Sequence, residues 1–398
     1  MSVQSLYGVA DEDSGDLAVM LTGGGARAAY QVGLLKGIAR HFPHLRFQIV
    51  TGVSAGAINA IYLAAMSGSL EDKARDLERM WCNLKCESIY RFDWKSLLPF
   101  RAAVSSMFSR KGAPSEAGPH ALTDTAPLRD VLSRMLNVAP GAHMSGIGEN
   151  IRAGRLTAVA LMTLDYSTGQ TVRWVQGRTL DVHEGPNTRV VETELTIEHV
   201  LASAAIPFVF PAVQIGNKWH GDGGVRLAAP LSPAVHLGAR RIIAMSTGHQ
   251  RPRAEMERTV VAAYPPAGDV LNQLMNAIFI DAIDEDVARM HRMNELLRKM
   301  APHERNGLKP IDLLVLRPSV DLGKVAAEYE RDLPRELKLL VRALGSEETE
   351  SPDFISLLMF EPGYTQRIIE IGESDVDARL DDIRAFLGET RERLVAVQ

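Results

Sequence analysis

The chain has 398 residues, enough for one large α/β domain or two smaller ones, and an apolar content of 46%, ample for a core. Its formal net charge of −5 argues against nucleic acid as a default partner. Two cysteines exclude a disulfide scaffold.

Residues 1–15 are acidic and read as a flexible N-terminus without a basic-then-apolar signal pattern. The longest apolar stretch, Ala57–Met66, is far short of the roughly 20 residues a membrane span needs. The expectation is a cytoplasmic protein, at most peripheral to a membrane.

Leu17–Leu21 predicts a strand. After Gly23-Gly24-Gly25, the residues Ala28, Ala29, Val32, Leu35 and Ile38 recur at mostly helical spacing. Strand, glycine turn and helix make a seat for negative charge, because a helix N-terminus offers free N–H groups and a partial positive charge. Gly23, Gly25 and Ala28 fit a dinucleotide fingerprint. That fingerprint also wants an acid about 20 positions on, where this chain has a serine. No Lys-Ser/Thr follows the glycines, which argues against a phosphate loop. Arg27, in the first helical turn, is either a solvated residue or a cation that supports the loop or meets a substrate phosphate.

The second strand, Phe47–Val50, runs into "GVSAG" at 52–56 and then an apolar helix beginning near Ala57. G-x-S-x-G between strand and helix is the setting of a nucleophile elbow, with Ser54 exposed at the tip. If Ser54 attacks a carbonyl, an oxyanion forms and needs preorganised N–H donors. Gly23, Gly24 and Gly25 lie at the tip of the preceding strand and so read as an oxyanion hole.

Asp72–Lys85 predicts a helix with Cys82 and Cys86 on one face, reduced core thiols that make a poor metal site by themselves. The stretch 88–120 mixes aromatics, leucines and basic residues before a Pro/Gly/Ser/Ala run. It is an insertion, read either as plain surface or as a lid that touches lipid over 88–112. Thr125–Leu136 is a helix with Pro127 in its first turn. Leu156–Leu164 and Thr171–Val175 form a strand pair, Thr196–Ala205 a helix and Phe208–Ile215 a strand. Asp222 follows in a tight turn between Gly221 and Gly223-Gly224. His220, two residues earlier, would share its face if the segment is extended. Arg241–Ser246 is a buried strand, Ala267–Met300 a long amphipathic helical region, Ile311–Leu316 a last strand, and helices complete the chain. The apolar face of 267–300 is buried either internally or in an oligomer. Strands alternating with helices imply an α/β fold with a mostly parallel sheet covered on both faces.

The chain has eleven histidines, none in an evident catalytic motif. Four stretches in order resemble the bacterial patatin-like phospholipases: "GGGARAAYQVGLL", "GVSAGAINA", "LASAAIPFVFPAV" at 201–213 and "DGG" at 222–224. "FEPGYTQRIIEIGESDVDA" at 360–378 resembles the family's C-terminal helical region, so the likeness spans about 16–380. One departure is Ala28, where the family usually has glycine.

The resemblance implies a three-layer α/β/α fold with added C-terminal helices. It implies a Ser54–Asp222 dyad without histidine, an oxyanion hole at Gly23, Gly24 and Gly25, and no metal or cofactor. It further implies a phospholipid or other acyl-lipid substrate, cleaved by phospholipase A or lysophospholipase chemistry. Acyl transfer and neutral-lipid hydrolysis use the same dyad, and a conventional α/β-hydrolase would instead need an acid and a histidine after the serine. A fold retained only for lipid binding is the reading of another class. One hydrolase domain over 16–390 is expected, with 251–390 as a mainly helical layer.

Overall fold

The computed structural model describes residues 16–92, 121, 123–178, 184–185, 187–250, 267–279, 282–335, 337–338 and 353–388. The sheet is mixed and, among the described residues, has nine strands. Its spine is β1 (Leu17–Leu21), β2 (Ile49–Val53), β5 (Ala158–Asp165), β10 (Arg241–Met245) and β11 (Asp312–Leu316), all parallel, in the order β11-β10-β1-β2-β5. Beyond β5 the direction reverses. β6 (Thr171–Gly177) runs antiparallel to β5, and β7 (Thr188–Glu192) lies parallel to β6. The hairpin β8 (Val213–Ile215) and β9 (Lys218–Asp222) joins the far end of β5, with β9 antiparallel to it. Arg91–Phe92 (β3) and Thr123–Asp124 (β4) form a separate two-stranded ribbon.

β1 is buried on both faces, as a central parallel strand must be. Leu17, Val19 and Leu21 enter the larger apolar cluster, whereas Ala18 and Met20 enter a smaller one on the opposite face. On the larger side lie α1 (Ala29–His41), α2 (Ala55–Ala65) and α3 (Leu70–Asn83), with the late helix α13 (Pro362–Ala378) packed along α1. The smaller side is covered by α8 (Ser232–His236) and α10 (Ala282–Lys299). α2 is apolar nearly all round and correspondingly buried from Ala55 to Ala64.

The remaining helices are α4 (Cys86–Ile89), α5 (Ala126–Leu136), α6 (Ser145–Arg152), α7 (Ile197–Ser203), α9 (Ala267–Phe279), α11 (Leu322–Glu328), α12 (Asp353–Leu358) and α14 (Leu380–Leu387). The α/β class and mostly parallel sheet match the expectation; several boundaries differ. The second strand is Ile49–Val53 rather than Phe47–Val50, so it delivers its last residue directly to Ser54. α3 begins at Leu70, where Ser69 and Asp72 form a capping box, and ends at Asn83. Cys82 and Cys86 therefore sit on separate helices, not on one face, and Cys86 bonds the Leu358 carbonyl. Only Val213–Ile215 of the expected strand Phe208–Ile215 is extended, because Phe208 adopts a left-handed φ of 67° in a turn flanked by Pro207 and Pro211. The region 267–300 forms two helices, Ala267–Phe279 and Ala282–Lys299, instead of one. Residues 1–15 and most of the 88–120 insertion, from 93 to 120, lie outside the described residues.

Candidate active site

Two crossovers bring their turns to one edge of the sheet. β1 ends at the glycine loop and β2 ends at Ser54, and the strands are paired side by side. This is the carboxyl edge, where open α/β sheets place their ligands. Ser54 has φ 55° and ψ −134°, an uncommon geometry for a side chain with a Cβ. Such strain persists where the surroundings enforce it. Here β2 holds one side of the turn, and the first turn of α2 holds the other.

A further tie comes from α7. The Ser54 N–H donates to Ser203 Oγ at 3.0 Å, and the Ser203 hydroxyl donates to the Met162 carbonyl of β5 at 2.7 Å. Two residues on, the Ala205 carbonyl accepts the Asp222 N–H at 2.9 Å. The segment "SAA" at 203–205 thus fixes the backbones of Ser54 and Asp222 together. Sequence reasoning missed Ser203 as an individual residue, although the motif "LASAAIPFVFPAV" contained it.

Asp222 is the last residue of β9 and is fully buried. Its Oδ1 accepts the Gly224 N–H at 2.8 Å, whereas Oδ2 makes no hydrogen bond among the described residues. Burial pushes its pKa up to about 7, against the opposing pull of the Ser54 hydroxyl and the Gly224 N–H. The Ser54 hydroxyl is close enough to favour the carboxylate, but the two do not form a hydrogen bond of full geometry. No histidine is hydrogen-bonded to Ser54 or Asp222 among the described residues. His220 does lie on the same strand, but it is buried against Trp174 and bonded to Thr163 Oγ1 at 3.1 Å.

The glycine loop is pressed against the serine. A Cβ on Gly23 would stand 2.9 Å from Ser54 Cβ, so only glycine leaves the serine side chain in place. The Gly23 carbonyl accepts from Thr247 Oγ1 at 2.6 Å, and the Gly24 carbonyl accepts from the Arg27 N–H at 3.0 Å. In a trans peptide the following N–H points the opposite way. The Gly24 and Gly25 amides are therefore turned away from these partners, and none of the three glycine amides bonds another described residue. Gly25 has φ 54°, and a Cβ there would come within 2.0 Å of the Leu357 carbonyl of α12.

Arg27 is buried rather than solvated. Its guanidinium forms an ion pair with Asp353, its Nε donates to Ser356 Oγ at 2.5 Å, and Asp353 also accepts from Asn276 Nδ2 at 2.7 Å. The guanidinium is thus engaged behind the loop, holding its first helical turn to α12. It is not available at the cleft for a substrate phosphate.

Ser54 and Gly25 open into a cleft lined almost wholly by apolar side chains, among them Ile58, Trp81, Leu132, Ile206, Phe210 and Phe360. In this conformation its volume is about 20 Å³, little more than the ~10–15 Å³ one water needs. A ligand larger than a water enters only if the lining side chains part. Phe92 and Thr123, which flank the 93–122 stretch, pair in the β3–β4 ribbon, and Thr123 Oγ1 bonds the Val209 carbonyl beside Phe210. The insertion therefore leaves and re-enters the fold near this cleft.

No cluster of three or more potential metal ligands occurs among the described residues. Nor is any described helix long and apolar enough to cross a membrane.

No curated protein sequence matches the chain. Among solved structures, human GIVD cytosolic phospholipase A2 in complex with methyl γ-linolenyl fluorophosphonate matches at 16% identity and a TM-score of 0.43, covering 96% of this chain and 60% of that one. VipD from Legionella pneumophila matches at 12% identity and a TM-score of 0.31, covering 76% of this chain and 61% of that one. The type III effector protein ExoU matches at 13% identity and a TM-score of 0.30, covering 96% and 62%. The chain thus spans about three-fifths of the length of the solved structures it matches. Residues 19–235, more than half of the chain and all four ordered motifs, match the family model described as patatin-like phospholipase. On that match the chain belongs to the patatin-like phospholipase family.

Proposed function

We propose that the protein is a serine hydrolase of lipid acyl esters, of phospholipase A or lysophospholipase type, working through Ser54 and Asp222. One observation carries this reading. A strained serine at a strand-to-helix turn stands beside a fully buried carboxylate whose pKa is raised to about 7, at the mouth of an apolar cleft. A base poised near the working pH is what proton transfer from a hydroxyl needs.

In this reading Ser54 Oγ attacks the ester carbonyl while Asp222 takes its proton. The tetrahedral oxyanion is held by amides of Gly23, Gly24 and Gly25, and the positive end of α2 favours charge at Ser54. Collapse expels the alcohol, which receives the proton from Asp222. Water then attacks the acyl-enzyme with Asp222 again as base, releasing the fatty acid. The apolar cleft takes the acyl chain. We further infer one hydrolase domain over 16–390, with 88–120 as an insertion in it and the helices after 251 bracing the oxyanion loop.

The test is release of fatty acid from mixed phospholipid vesicles, with covalent labelling by a fluorophosphonate. Wild type is expected to release fatty acid and to be labelled on Ser54, and Ser54→Ala to do neither while remaining folded. Labelling without release from any lipid would keep the nucleophile and overturn the substrate class. Absence of both would return the fold to a binding role.

Gly23→Ala offers a finer check. Its methyl would stand 2.9 Å from Ser54 Cβ, a clash that only a backbone shift relieves, so kcat on a short soluble ester should fall about 10²-fold and the melting temperature should fall with it, KM changing little. Unaltered kcat would remove Gly23 from the site.

A further inference from the structure

At the opposite end of the sheet from Ser54, three cations converge without a counter-charge. The segments leading into β2 and β5 and the connection from α2 to α3 enclose a cavity lined by Arg46, Lys73, Asn150 and Arg155, among others. No aspartate or glutamate lines it. None of the three cations forms an ion pair among the described residues. The cavity volume is about 50 Å³, room for a few waters at ~10–15 Å³ each and so for one small polyatomic ion.

Part of the arrangement has a structural account. The Lys73 ammonium donates to the Leu63 carbonyl at 2.7 Å, at the last turn of α2, where a cation is favoured. That account does not cover the two arginines beside it. Arg155 is held in place: its Nε donates to Asn150 Oδ1 at 2.9 Å, and Asn150 is itself tied to the Ala64 carbonyl at 2.7 Å. Its terminal nitrogens are left without a partner among the described residues. Burial first, and then the nearby Arg155 and Arg46, push the Lys73 pKa down to about 8.

We propose that this cavity is an anion site for a phosphate group, carried on a lipid headgroup or free in solution. A doubly charged phosphate offers enough acceptor oxygens for two guanidinium forks and an ammonium at once. A single carboxylate would leave most of the positive charge uncompensated. The site lies one length of α2 away from Ser54 and is independent of the reaction there.

The experiment compares wild type with Arg46→Gln/Arg155→Gln, two exposed positions at the end of the sheet away from Ser54, with hydrolysis of a short soluble ester and the melting temperature without phosphate measured on both proteins as the reference. Inorganic phosphate is titrated at low ionic strength, with sodium chloride matching ionic strength, and the melting temperature is read. A saturable rise in wild type, with half-saturation shifted roughly tenfold or more in the variant, is expected. In a second arm, on a Ser54→Ala background, phosphatidylcholine vesicles carrying phosphatidic acid or phosphatidylglycerol are sedimented with each protein. Capture by phosphatidic acid that the two substitutions abolish assigns the phosphate to a headgroup. A melting response without capture assigns it to a soluble phosphate. Neither effect in wild type, or both undiminished in the variant, overturns the proposal.

Discussion

Asp222→Asn should abolish activity and at the same time stabilise the protein. Asparagine keeps the shape and can still accept the Gly224 N–H, but it cannot take a proton from Ser54. A loss of about 10²–10⁴ in kcat is expected for a missing general base. The stability effect follows from the raised pKa. The native state holds its proton up to about pH 7, whereas the unfolded carboxyl titrates from its ordinary value of 3.8. Native protein therefore binds more protons between these values, and wild-type stability falls as pH rises from about 4 to 7. At 1.36 kcal/mol per unit, that shift costs wild type about 4 kcal/mol by pH 7–8. The asparagine variant does not titrate and escapes it. Denaturant midpoints of the two proteins should lie closest near pH 4 and diverge to a limit above pH 7, with the variant higher. The same group gives wild-type kcat/KM an acid limb near pH 7 with activity on its alkaline side. Parallel stability curves across pH would show that Asp222 is not the titrating group.

Breaking the Arg27–Asp353 pair should produce the other large effect. Both partners are buried, so Asp353→Ala strands a guanidinium and should cost about 3–5 kcal/mol. The informative variant removes both charges. In Arg27→Met/Asp353→Leu, apolar side chains replace the pair, and stability should return to within a few kcal/mol of wild type or above it. Activity should not return. The glycine loop would have lost its anchor to α12, and a loosened oxyanion donor costs about 10²-fold in kcat. Recovery of kcat along with stability would make the pair purely structural.

These residues also show what the sequence carried and what it did not. Gly23-Gly24-Gly25 and Ser54 were legible because each sits in a local strand–turn–helix unit, where a few neighbouring residues dictate the backbone. Asp222 was legible as a glycine-flanked turn, but its assignment as base came from the resemblance. Burial, which shapes its chemistry, depends on packing from distant segments. Arg27 stayed ambiguous because its partner is 326 residues away. Nothing near "GGGAR" announces an aspartate in α12. Ser203 is one of many serines until the fold sets it between Ser54 and Met162. The strand expected at Phe208–Ile215 failed for a tertiary reason: its apolar run serves the cleft wall through Phe210 rather than a ladder. The cysteine pair failed at a boundary of two residues, where α3 ends before its apolar period does.

The β8–β9 hairpin has a consequence for how this chain can change. Asp222 is delivered by β9 pairing with the end of β5, Thr163 opposite Asp222 and Asp165 opposite His220. Side chains alternate along a strand, so one residue gained or lost between Lys218 and Asp222 would swing the carboxylate to the wrong side of the sheet. The turn at Gly216–Asn217 lies upstream of that pairing and has open space around Gly216. Evolution can lengthen, shorten or decorate that turn while the aspartate stays where it is. Relatives of this chain should therefore tolerate insertions before β9 and almost none within it, and an engineer adding a tag or a sensor peptide beside the candidate site would place it there.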